Sequence, residues 1–233
     1  MIMSDRSTKA VIGSDAAAYT ERDSGFSHDD IRDAALALVR NDVEGVILDA
    51  GSGHGTWLRK LLAACPKISK AIAVDIYDGG AKNIDGVEFF QRDLSRDSLP
   101  GEDESVDWVF AIEVLEHLAN PRGFVTEVAR ALRKGGTFFL STPNNDALTS
   151  RLSLLFRGYY PAFSEQCYTE TGHITPILEL DLRRMAVEAG FAKTEFFFPL
   201  TGRIPKSAIP WQRFFPNLQG SLWSDTLFCR LTK

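Results

Sequence analysis

The run Leu48-Asp49-Ala50-Gly51-Ser52-Gly53-His54-Gly55 constrains this chain more than any other. A buried-strand pattern, Val46-Ile47-Leu48, closes at Asp49, and a helical pattern begins a few residues later. Glycines at such a junction let the backbone turn tightly and let a ligand touch it with no Cβ in the way. The helix that follows offers unpaired N–H groups at its start. The spacing narrows the ligand. A dinucleotide fingerprint, G-x-G-x-x-G, needs glycine at position 56, where this chain has Thr56 after Gly55. No Gly-Lys-Ser/Thr follows, so the turn is not a triphosphate loop either. It suits a ligand that lacks a pyrophosphate and still needs the close turn.

Around this turn the chain alternates between strand and helix patterns. A helix is expected from Ser27, with Ser27 as cap, Asp30 three residues on, and Ile31, Ala34, Ala35 and Leu38 on one face. Residues 46–50 read as a strand, 55–64 as a helix, 70–75 as a strand and 87–91 as a third strand. The polar stretch between the last two is short for a crossover helix and reads as a turn. Residues 106–111 predict a fourth strand and 137–141 a fifth, joined by a helix over 121–133. That helix opens with Pro121 and stops at Gly135-Gly136. Strands separated by helical connections imply a mostly parallel sheet with helices on both faces. Residues 176–189 read as a helix, and 191–198 and 223–231 as two final strands, an antiparallel pair being one arrangement of them.

The 233 residues correspond to about one and a half average domains. The strand–helix order accounts for one, and the surplus falls in three places. These are an N-terminal arm over 1–26, an insertion over 143–176, and a proline-containing loop over 199–220. The insertion reads as an amphipathic segment from Leu148 to Phe163 followed by a loop to Pro176. The net charge of -5 argues against nucleic acid as the main partner, since such binding is dominated by basic surfaces. No apolar run reaches the roughly 18 residues of a membrane span, and the N-terminus lacks an apolar signal core, so a cytoplasmic location is expected. Cys65, Cys167 and Cys229 are odd in number and widely spaced, and no arrangement of His and Cys suggests a metal.

Asp75 ends the second strand and Asp93 follows the third. A carboxylate at the first position can accept both hydroxyls of a ribose, and one at the second can accept from an adenine amine. With these in place the motifs VILDAGSGHGTWLRKL, AVDIY, FQRDL, VDWVFAIEVLEHLANP and ALRKGGTFFLSTPN resemble, in order, those of the class I S-adenosylmethionine-dependent methyltransferases. The wording EVLEHLANP and STPN resembles the small-molecule branch that includes ubiquinone and menaquinone O-methyltransferases and enzymes of glycan assembly. The resemblance covers about residues 27–200. It implies a Rossmann-like α/β fold, a mostly parallel seven-stranded sheet with an antiparallel C-terminal strand, and S-adenosyl-L-methionine as cofactor. It further implies that Gly51, Gly53 and Gly55 face the methionine part and that Asp49 holds the turn or meets the amine. Asp75 and Ile76 would hold the ribose, Asp93 and Leu94 the adenine, and Ala111, Ile112 and Glu113 the wall beneath the fourth strand.

Methyl transfer from a sulfonium is an in-line displacement, so the protein must mainly hold acceptor and methyl in line. An oxygen acceptor can also need a base within about 3 Å. His117, four residues after Glu113, and His173, in the stretch Gly172-His173-Ile174-Thr175-Pro176, are the histidines the resemblance places at the acceptor, where an imidazole of unperturbed pKa about 6.5 can take a proton. A structural role for each stands beside that reading. On one helical turn, Glu113 and His117 would point the same way. The implied partner is a small acceptor, a sugar, glycolipid or quinone-like molecule, free or linked to a lipid or nucleotide. The aromatic and aliphatic residues of 148–168 would form its pocket or rest on a membrane surface. Trp211, Phe214 and Phe215 would close the site or a homodimer face.

Overall fold

The structure is a computed structural model and describes residues 29–78, 80–204, 207 and 209–233. The expected N-terminal arm and the Ser27 cap lie outside the described residues. Helix α1 (Asp29–Val39) leads into strand β1 (Gly45–Ala50), helix α2 (Thr56–Ala64) and strand β2 (Ile68–Asp75). Among the described residues a single 3-10 turn, Ala81–Asn83, is all the helix on the way to β3 (Val87–Gln91), as the short polar stretch implied. Then come β4 (Val106–Ile112), α3 (Pro121–Ala131) and β5 (Leu132–Pro143). Helices α4 (Leu148–Arg157), α5 (Glu165–Thr171) and α6 (Glu179–Glu188) precede β6 (Lys193–Phe197) and β7 (Thr226–Thr232).

The seven strands form one sheet in the order β3-β2-β1-β4-β5-β7-β6. Pairings from β3 through β5 are parallel, and β7 runs antiparallel to both neighbours. Alternation along each strand divides the core into two layers. Leu48, Ile72, Val74, Val109, Phe138 and Leu140 face α3 and α6, where Phe124, Val128, Leu182 and Met185 meet them. Ile47, Ala73, Trp108, Phe110, Phe139 and Phe228 face α1 and α2, where Ile31, Ala35, Trp57, Leu58 and Leu61 meet them. The chain moves from β1 outward to β2 and β3, then returns to place β4 on the other side of β1. That reversal of strand order opens a crevice at the carboxyl ends of β1 and β4, where sheets of this kind bind ligands.

Three expected elements differ. The helix after Pro121 stops at Ala131, before the glycine pair, because Leu132 already pairs with Val106 and starts the twelve-residue β5. Gly135-Gly136 is instead a bulge within β5. Gly135 adopts a φ of 76°, and its amide and the Gly136 carbonyl bind the backbone of Lys233 at 2.8 and 2.9 Å. The stretch expected as a loop before Pro176 contains α5, started by the Ser164 hydroxyl, which accepts from the Cys167 amide at 3.2 Å. The helix expected from 176 begins at Glu179, where the Asp181 carboxylate accepts from the Leu178 amide at 3.3 Å. Between Pro199 and Gly220 the described residues are irregular, with one 3-10 turn at Trp211–Arg213. Among the described residues no helix is long and apolar enough to cross a membrane.

Phe110 is fully buried in β4, with rings of Trp57, Trp108 and Phe139 at 5.6, 5.6 and 6.3 Å between centroids. Phe110→Ala is expected to cost about 3–5 kcal/mol, read as a lower midpoint in chemical denaturation.

Candidate active site

The glycine-rich turn is built by hydrogen bonds to the neighbouring strand. The amides of Gly51 and Ser52 both donate to the Val74 carbonyl, at 2.8 and 3.1 Å. Gly51 has a φ of 78°, and a Cβ there would stand 2.5 Å from Val114 Cγ2. No other residue type fits both its torsion and its contact. Gly53, at φ 47°, has open space where its Cβ would be, so a ligand can reach that stretch of main chain. Gly55 packs against Ile84 and Ala81. Of the three glycines, then, Gly53 faces open space, whereas Gly51 and Gly55 face protein.

Asp75 braces this turn. Its Oδ2 accepts from the Gly53 amide and its Oδ1 from the Tyr77 amide, each at 2.7 Å. An ionised carboxylate has about four acceptor positions, so two remain for a ligand's hydroxyls. Burial pushes the Asp75 pKa up, and the amides of Tyr77, Gly53 and Ile76 pull it back. Ile76 follows, half-buried, its carbonyl accepting from Gln91 Nε2 at 2.9 Å. Asp49 is 2% exposed and its Oδ2 has no partner. Burial and the nearby Asp75 push its pKa up to about 8. An unpartnered carboxylate oxygen beside an open main-chain surface is a place for a ligand's cationic group.

Asp93 makes a local turn. Its Oδ1 accepts from the Ser95 amide at 2.9 Å, and Arg96 stands 3.5 Å from its Oδ2. Leu94, next to it, packs part-buried against the α3 and α6 layer. Ala111 and Ile112 are buried in opposite core layers, so both side chains are occupied by protein. Glu113 follows with a φ of 56°, unusual for a residue with a side chain. Its amide donates to the Ser141 carbonyl and hydroxyl, both at 3.1 Å, and that hydroxyl donates to Glu113 Oε1 at 2.9 Å. Burial pushes Glu113 up to about 7.

Glu113 and His117 do not share a helical turn. The positive φ ends β4, and Leu115–His117 is a separate 3-10 turn. His117 is instead brought to His173, with ring centroids 4.8 Å apart in an edge-to-face arrangement. His117 Nδ1 contacts the Gly172 carbonyl at 3.3 Å, and His173 Nδ1 contacts the Ala162 carbonyl at 2.8 Å. Burial and then the neighbouring His173 lower His117 to about 4. Glu116, which is not among the residues the motif singles out, joins this group. It is fully buried, accepts from Thr142 Oγ1 at 3.1 Å, and is pushed well above the carboxylate range by burial and by Glu113. Its position inside EVLEHLANP was the available signal.

Comparison with known proteins identifies the fold and the family. Solved structures with the same architecture include a chain from the Haloferax volcanii complex of the Trm112 methyltransferase activator with a methyltransferase. Its TM-score is 0.64 at 21% identity, covering 95% of this chain and 98% of that one. A SAM-dependent methyltransferase of Thermotoga maritima has a TM-score of 0.62 at 19% identity, covering 93% of this chain and 89% of that one. These likenesses show the fold, that of the class I S-adenosylmethionine-dependent methyltransferases. A probable S-adenosylmethionine-dependent methyltransferase of Mycobacterium tuberculosis is 37% identical over 102 residues, 42% of this chain and 35% of that protein. A ubiquinone biosynthesis O-methyltransferase of Methylocella silvestris is 34% identical over 112 residues, 44% of this chain and 41% of that protein. The matched region thus spans less than half the length of these curated relatives. Residues 23–195 match the family described as the methyltransferase domain, and the chain belongs to that family.

The raised Asp49 has a consequence for stability. A carboxyl whose folded pKa lies above its unfolded value contributes stability that is fully present below the unfolded pKa, about 4, and lost as pH rises through about 8. Asp49→Asn should remove that loss. The variant is expected to gain stability relative to the parent chain between pH 5 and 8 in ligand-free urea titrations, with the gain smallest at the acid end.

Proposed function

We propose that this chain is an S-adenosylmethionine-dependent methyltransferase that methylates a hydroxyl oxygen of a small molecule, such as a sugar, glycolipid or quinone-like acceptor. When bound, the cofactor supplies a methyl group activated by a sulfonium charge. The residues present fit it. Gly53 leaves the space for its amino-acid end, and the orphaned Asp49 Oδ2 offers an acceptor for its ammonium. Asp75, with two acceptor positions left, suits its ribose. This reading assigns the adenine to Asp93 and Leu94 after β3, although Asp93 already bonds within its own turn.

The observation that carries the hydroxyl reading is the histidine pair at the carboxyl ends of β4 and β5. An acceptor hydroxyl needs a group that takes or orients its proton, and a neutral imidazole does both. Burial keeps His117 neutral above pH about 4 and so able to accept a hydrogen bond. His173, on the loop after α5, is part-exposed and can meet an acceptor from outside. The insertion over 143–176 is the acceptor side in this reading, because its last residues deliver His173. The partial sequence similarity to a ubiquinone biosynthesis O-methyltransferase, 34% over 112 residues, supports an oxygen acceptor of small size.

Two measurements test this. Gly53→Asn keeps a residue type that tolerates positive φ but fills the open space. It is expected to weaken S-adenosylhomocysteine binding at least ten-fold in calorimetry while changing the thermal midpoint little. In a screen of sugars, glycolipids and catechol- or quinone-type acceptors, His173→Ala should lower turnover at least ten-fold with S-adenosylhomocysteine affinity unchanged. Methylation confined to amines would overturn the oxygen assignment.

A further inference from the structure

We propose that Glu116, His117 and His173 bind one first-row divalent metal ion on the acceptor side of the cleft. Each residue offers one ligand atom, and the three atoms lie within 4.8 Å of one another. Two imidazole nitrogens and one carboxylate oxygen form the donor set of open, three-ligand zinc sites and of other exchangeable divalent centres. Sequence spacing did not suggest this set, because α3, β5, α4 and α5 lie between His117 and His173 in the chain.

Two observations beyond proximity point to a cation. The first is Glu116. It is fully buried, Thr142 Oγ1 satisfies its Oε2 at 3.1 Å, and its Oε1 has no hydrogen-bond partner. A buried carboxylate oxygen without a partner is costly, and a metal ion is a group that would satisfy it. The second is the orientation of the rings. Nδ1 of each histidine faces a backbone carbonyl, that of Gly172 for His117 and that of Ala162 for His173. A carbonyl only accepts, so Nδ1 carries the hydrogen and Nε2 of the neutral ring keeps its lone pair. Metal-bound histidines are held in this way, by a carbonyl on the nitrogen that does not bind the ion.

The scaffold for the set is already closed. The amides of Ile174 and Thr175 donate to the Glu116 carbonyl at 2.9 and 3.0 Å, and Thr175 Oγ1 donates to the Leu118 carbonyl at 2.7 Å. The two parts of the chain that supply ligands are thus pinned to each other. Ligands about 2.1 Å from a tetrahedral ion stand roughly 3.4 Å apart, so a gap of 4.8 Å must close by about 1.4 Å, which side-chain rotation covers. Both histidines are part-exposed, which leaves the ion reachable from outside. Three protein ligands leave a position for an acceptor hydroxyl, whose pKa the ion would lower; with the ion bound the imidazole lone pairs are taken up, and the ion replaces a histidine base in activating that hydroxyl. That last role rests on the oxygen-acceptor reading above, whereas metal binding itself does not.

The experiment therefore omits cofactor and acceptor. The full chain, stripped with a chelator and dialysed, is titrated with Zn2+ by calorimetry and with Co2+ by its visible absorption. One equivalent should bind, with Co2+ bands of a four- or five-coordinate site. His173→Ala and Glu116→Gln should each weaken binding at least ten-fold, and Cys167→Ser should leave it unchanged. Circular dichroism and S-adenosylhomocysteine affinity confirm that each variant is folded. If His173→Ala unfolds, His173→Gln replaces it. Absence of stoichiometric binding, or equal binding by the folded His173 variant and the parent chain, overturns the proposal. Failure of the methyltransferase reading would show as absent S-adenosylhomocysteine binding and leave the metal titration intact.

Discussion

The site depends on how the end of β1 is tied to the end of β2. Two successive amides, those of Gly51 and Ser52, share the Val74 carbonyl, and a third, that of Gly53, takes the Asp75 carboxylate. These bonds force the chain to reverse at Ala50, set the start of α2, and leave one face of Gly53 open. They also create the space that Val114 fills, because a Cβ on Gly51 would occupy it. The turn after β4 is thereby packed against the turn after β1. A displacement in the first would reach Glu113 and the histidine pair through Val114.

The second organising constraint is electrostatic. Asp49, Asp75, Glu113 and Glu116 all sit in the crevice, and burial is the largest cause of the upward pKa shift in each. No lysine or arginine is among the causes that act on any of the four. Of the four only Asp75 has a histidine, His54, acting on it, and buried acids so poorly offset reduce the stability of the ligand-free fold at neutral pH. Such an arrangement is suited to ligands that bring positive charge. An ammonium and a sulfonium at the β1 side, and a divalent ion at the β4 side, would each relieve part of it.

Much of the fold was legible from local pattern. Short apolar runs ending in Asp49 and Asp75 marked β1 and β2, because a strand buried on both faces must be mostly apolar and its exit polar, whereas the edge strand β3 is only half-buried and showed as the mixed run Val87–Gln91. The errors came where a local signal served a tertiary purpose. Gly135-Gly136 looked like a helix stop, but the pair bends β5 to meet Lys233, and Leu132 had already joined the sheet. The short α5 was hidden because its seven residues, Glu165–Thr171, carry no apolar periodicity and depend on the Ser164 cap. Glu113 and His117, four apart, suggested a shared helical face, yet a positive φ at Glu113 breaks that geometry.

Sequence by itself determined the order of strands and helices, the glycine turn, the acids at three strand ends and the family. Each of these is written in contiguous residues, where spacing and burial pattern translate directly into local conformation. Tertiary structure decided which glycine faces open space, which acids lack partners, and that His117 meets His173 beside Glu116. Those facts join segments far apart in the chain. They follow from the register of β4 against β5 and from the amides of Ile174 and Thr175 closing on Glu116, and no local pattern encodes such contacts.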